Sequence, residues 1–114
     1  MLYKQPPSWE EIIEHLHGEL PSRDSETIVR VLVSKDRARR ILICQSEHGY
    51  YRTHYEQIYV WDEDEWNFFG NDPNRYPAYW NKVGASWGNN SFYGTEEDAI
   101  KAVTDSREYE MYFI

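Results

Sequence analysis

The chain has 114 residues, with 20 Asp plus Glu against 12 Lys plus Arg, a formal net charge of −8. That length suits one domain spanning 1–114. The acidity argues against a nucleic-acid phosphate-backbone binder. There is no apolar run long enough to span a membrane and no hydrophobic leader behind Met1, so no membrane role is expected. A single cysteine, Cys44, excludes an intramolecular disulfide framework, and the expected location is a reducing cytoplasm.

Taken in chain order, Pro6-Pro7 ends an extended lead and Ser8 opens a helix. Ser8 and Glu11 have the spacing of a capping box. Trp9, Ile12, Ile13, Leu16 and Leu20 fall on one helical stripe. Gly18 suits a left-handed cap and Pro21 blocks continuation. Three strands follow: Thr27 to Ser34, Arg39 to Gln45 and Tyr50 to Trp61. Short turns around Lys35-Asp36-Arg37 and at Gly49 make them an antiparallel meander. The first is apolar enough to suggest burial on both faces for part of its length. Asp62-Glu63-Asp64-Glu65 then reads as an acidic turn and Trp66 to Phe69 as a short strand. Gly70 to Pro77 is a loop, and Tyr79 to Trp87 is extended. Thr95 caps a second helix that ends near Asp105, and Tyr109 to Ile114 alternates as a final strand. The expected fold class is α+β: an antiparallel sheet of four to five strands, an N-terminal helix, and a second helix before the C-terminal strand.

The residues from 53 to 114 carry twelve acids against four bases, so the acidic field lies in the second half of the chain. Its sharpest feature is four consecutive carboxylates between Trp61 and Trp66. As a binding edge, Asp62, Glu63, Asp64 and Glu65 would steer a basic partner, while Trp66, Tyr76, Trp80 and Trp87 supply contact area. The same residues also fit a solvated turn anchored by core tryptophans. The run lacks the glycine and distal Glu of a calcium loop.

On the third strand Arg52, His54 and Glu56 project from one face, which suits either a pocket for a small ligand or enzyme chemistry, or a solvated row of ion pairs. His15 and His17 diverge on a helix, and four histidines with one cysteine at these spacings supply no complete zinc set, so no metal or other cofactor is expected. Cys44, inside Ile41-Leu42-Ile43, reads as a small buried hydrophobe.

Trp80-Asn81-Lys82-Val83-Gly84, with Phe92 and Glu97-Asp98-Ala99-Ile100-Lys101, is loosely similar to the WGR domain, which implies nucleic-acid association. Asn81 and Lys82 depart from that family's Gly and Arg, and the net charge opposes its chemistry, so no family is assigned. In size and charge the chain resembles small acidic immunity proteins that neutralise bacterial toxins. The expected function is therefore a non-catalytic acidic domain that binds a basic protein, most concretely as an inhibitor of a nuclease-like toxin. The alternatives are the Arg52/His54/Glu56 pocket and a self-assembling scaffold that pairs through strand edges.

Overall fold

The computed structural model describes residues 6–18, 20–21, 24–88 and 91–114. Among the described residues, four helices and a four-stranded sheet of order β1-β2-β3-β4 make an α+β fold. The strands are β1 (Glu26–Val33), β2 (Arg39–Ser46), β3 (Tyr51–Val60) and β4 (Ala78–Lys82). The helices are α1 (Trp9–His17), α2 (Glu63–Phe69), α3 (Glu96–Thr104) and α4 (Arg107–Tyr112). Both β1–β2 and β2–β3 pair antiparallel, as the short turns require. Gly49 takes a φ of 88° in the second turn, and Arg37 a φ of 62° in the first. Among the described residues no helix is long and apolar enough to cross a membrane.

The chain divides into two compact units. The first comprises Met1–Leu20 and Ile58–Asn81, the second Pro21–Gln57 and Lys82–Ile114.

The second unit is built on β2. Ile41, Leu42, Ile43 and Cys44 have zero exposure, so this central strand is buried on both faces. β1, at the sheet edge, contains no fully buried residue, and a bulge between Ile28 and Arg30 shifts its register. The two-faced burial expected of the first strand thus belongs to the second, while β1 alternates half-buried and exposed residues. Val103 of α3 meets Ile41 and Tyr55 in a core that Leu32, Val83, Trp87, Tyr109 and Phe113 extend. Thr95 caps α3 by accepting from the Asp98 N–H at 3.1 Å.

The C-terminal segment is a correction to the sequence reading: Arg107–Tyr112 is helical, not a strand. Ser106 caps it by accepting from the Tyr109 N–H, and the Tyr109 and Phe113 rings stack one helical turn apart at 5.8 Å. Their alternation with Glu110 and Tyr112 suits a strand in sequence, but the cap and the (i, i+4) ring pair favour the helix.

In the first unit Ser8 caps α1, accepting from the Glu11 N–H at 3.2 Å. Ile12 and Ile13 form its core with Ile58 and Ala78, and Leu16, Tyr76 and Trp80 pack against them. Trp9 and Leu20, at the ends of the expected stripe, are exposed. Gly18 closes the helix with right-handed geometry (φ −71°), not the left-handed cap expected of it.

Candidate functional site

The second correction falls on the acidic run. Asp62 to Glu65 is not a hairpin turn, and Trp66 to Phe69 is not a strand; together they form the cap and body of α2. The Asp62 carboxylate accepts from the Glu65 N–H at 2.9 Å, and the Glu65 carboxylate accepts from the Asp62 N–H at 3.4 Å. This is a reciprocal capping box. The helix N-terminus carries partial positive charge, which offsets part of the repulsion among four adjacent carboxylates. Two of them are held by backbone donors, while Glu63 and Asp64 stand in solvent.

Aromatic packing orients this helix. Trp61 is buried, meets Trp66 edge-on at 5.2 Å and tilts against Phe69 at 5.6 Å. Its backbone N–H donates to the Pro77 carbonyl at 2.9 Å, which ties the start of α2 to the far end of the following loop. Within that loop the Asp72 carboxylate accepts from the Asn74 N–H at 2.9 Å and pairs with Arg75 at 3.3 Å. The Arg75 guanidinium lies over the Phe69 ring at 4.3 Å. A stretch rich in turn-forming residues is thus held in one shape.

Tyr76 stacks flat on His15 with centroids 3.6 Å apart, and His17 meets Trp80 edge-on at 4.9 Å. The Trp80 indole N–H donates to the Leu16 carbonyl at 2.9 Å. These contacts leave a cleft of about 320 Å³ lined by Pro7, Trp61, Trp66, Gly70 to Pro73, and Arg75 to Pro77. Phe68, 80% exposed, points away from any core on the same helix. Trp9 and Tyr79 add further exposed aromatic surface to this unit.

The electrostatic partition is the more informative property. By sequence, the first unit carries two bases against nine acids, a formal net of −7, in 44 residues. The second carries ten bases against eleven acids in 70 residues. Nearly all of the chain's excess charge therefore belongs to the smaller unit. The Tyr59 hydroxyl reports the local field. Hydrogen bonding to Glu65 first, then slight burial and the charge of Asp62, push its pKa up to about 12. Burial, with the charge of Glu11 behind it, also raises the Tyr76 hydroxyl.

Of the binding residues expected from sequence, Asp62, Glu63, Asp64, Glu65, Trp66, Tyr76 and Trp80 all lie in the first unit. Trp66 and Tyr76 line the cleft, while Trp80 serves the α1 core. Trp87 lies in the second unit, where its indole N–H donates to Thr53 Oγ1 at 2.7 Å and its ring packs on Tyr55.

The alternative trio does alternate onto one face of β3, and its members pair with side chains of the neighbouring strands. Glu56 is taken by the buried Arg40, whose Nε lies 2.7 Å from its carboxylate. His54 is 2% exposed, with its Nε2 3.1 Å from Glu26 Oε2, and Arg52 Nη1 donates to Glu26 Oε1 at 3.3 Å. Glu26 and the adjacent Cys44 are the members of this cluster that sequence spacing did not bring to notice. Only the register of three strands unites them.

Comparison with family models, characterised proteins and solved structures returns no match. The functional reading therefore rests on the chain's own chemistry.

Proposed function

We propose that this chain is a non-catalytic domain that binds a basic protein through the acidic and aromatic face of its first unit, and that its most concrete role is inhibition of a basic enzyme such as a nuclease-like toxin. The observation that supports this reading is the charge partition: a net of −7 in a unit of 44 residues. A field of that density raises the rate of encounter with a cationic surface by about tenfold to a thousandfold at low salt.

Beside the carboxylates, the cleft between Trp61, Trp66 and Tyr76 suits an apolar or arginine side chain of the partner. Charge then supplies the approach, and the aromatic cleft supplies the slow departure. We favour this reading over a catalytic role for Arg52, His54 and Glu56 because His54 is enclosed and Glu56 pairs with Arg40.

The test is capture of partners on the immobilised chain from nuclease-treated lysate of its source, at low and high salt, read by mass spectrometry. The reading expects one basic protein, retained at low salt and weakened at high salt. Retention of only acidic proteins, or of none, would contradict it.

A further inference from the structure

We propose that Glu26, Cys44 and His54 form a binding site for a soft divalent cation of the zinc class, inside the second unit and independent of the acidic face. One ligand atom from each of the three residues lies within 4.8 Å of the other two. The sheet dictates this juxtaposition. Cys44 of β2 is paired with Ile28 of β1 on one side and Arg52 of β3 on the other. Glu26 and His54 are each two residues along from those partners, so all three side chains share a face and the two longer ones converge over the small thiol. The convergence is direct: His54 Nε2 and Glu26 Oε2 are 3.1 Å apart.

Tetrahedral zinc has bonds of about 2.3 Å to sulfur and about 2.0–2.2 Å to imidazole and carboxylate, which sets its ligands roughly 3.3–3.6 Å from one another. The Glu26–His54 pair already stands near that spacing, and the thiol needs to close by no more than about 1.5 Å, within the reach of a side-chain rotation. A thiolate, an imidazole and a carboxylate together select zinc, or cobalt as its spectroscopic stand-in, over magnesium and calcium, which take oxygen ligands.

The carboxylate is also oriented as a ligand would be. Arg52 occupies Oε1, leaving Oε2 on the side of His54. Such an outer partner fixes the geometry of a metal-binding carboxylate. All three ligands are shielded from water: Cys44 has zero exposure, His54 is nearly as enclosed, and the Glu26 side chain is 10% exposed. Binding breaks the Cys44 S–H bond and forms a sulfur–metal bond, releasing that proton to solvent; the proton between His54 Nε2 and Glu26 Oε2 moves to Nδ1 of a neutral ring or leaves a protonated one as a second released proton, with no change of oxidation state.

The test is titration of the chelator-treated full chain with zinc and, separately, cobalt, both in the folded state and during refolding from denaturant. The proposal expects one ion per chain, a higher Tm, release of at least one proton, and a thiolate-to-cobalt charge-transfer absorption. Cys44→Ala, which trims a buried thiol to a methyl, should fold and lose the charge-transfer band. His54→Gln and Glu26→Gln should weaken binding at least tenfold. Where a variant fails to fold, the wild-type stoichiometry and spectrum still decide. No uptake by either loading route would overturn the site and leave a buried polar network. So would a cobalt spectrum that persists in Cys44→Ala.

Discussion

The two units solve the problem of stability with different materials. The second is held by aliphatic β2, closed on both faces, and its charges come nearly in balance and in pairs: Arg40 with Glu56, Arg52 with Glu26, Arg30 with Glu96. The first has a small aliphatic centre of Ile12, Ile13, Ile58 and Ala78 and relies on aromatic contacts and caps around it. It carries nine acids against two bases, and Trp9, Phe68 and Tyr79 stand exposed on it. Uncompensated like charge costs stability, and its concentration in the first unit is the observation on which the proposed partner-binding role rests. The second unit has the composition of a stable frame.

This contrast can be broken at several points. The largest effects are expected in the second unit. Arg40→Ala leaves the part-buried Glu56 without its cation and should destabilise by up to about 3–5 kcal/mol. Arg40→Met with Glu56→Leu should recover most of that loss, because no charge is then stranded. Ile41→Ala, at a site with zero exposure, should cost about 2–5 kcal/mol by denaturant unfolding. In the first unit Trp80→Phe removes the bond to the Leu16 carbonyl and should cost about 1 kcal/mol.

Asp62→Ala removes the α2 cap and should likewise cost about 1 kcal/mol. Phe68→Ala, at an exposed site, should change stability by less than about 0.5 kcal/mol. A large loss from Phe68→Ala would show that the ring is structural and would weaken the contrast.

The smallest expected effect is a pH dependence in the second unit. Burial pushes the Glu108 carboxyl up, but hydrogen bonds from the Ser86 hydroxyl and N–H outweigh it and hold the pKa below its ordinary 4.5. Burial of Asp36 is likewise outweighed by bonds from the Ala38 N–H and the Ser34 hydroxyl and by the charge of Arg39. Both groups have depressed values in the folded state. Their stabilisation is therefore complete above the ordinary carboxylate range and is lost as pH falls through the folded values. Glu108→Gln should flatten the acid limb of a Tm-against-pH curve, and an unchanged limb would remove Glu108 from this account.

Much of the frame was legible in sequence because its signals are local. Ser8 with Glu11, Thr95 with Asp98, the aliphatic runs and the glycine turn each act within a few residues. The two helices misread as strands are short. Across six or seven residues aromatic-rich sequence satisfies both periodicities, and the capping residue decides. That residue was present both times: Asp62 three before Glu65, and Ser106 three before Tyr109.

The site was legible in part. The carboxylates and aromatics were visible as residues, but their concentration in one unit depends on which distant segments pack together. The Glu26–Cys44–His54 cluster needed the register of three strands, including a bulge in β1 that no spacing rule locates.

The most direct test of the central claim is the association rate of the captured basic partner with the wild-type chain and with a variant carrying Asp62→Asn, Glu63→Gln, Asp64→Asn and Glu65→Gln, across a series of salt concentrations. The amides remove four charges while preserving side chains that can cap α2. The account predicts that the variant folds normally, associates at least tenfold more slowly at low salt, and loses most of the salt dependence. Equal rates and equal salt dependence in the two chains would contradict it.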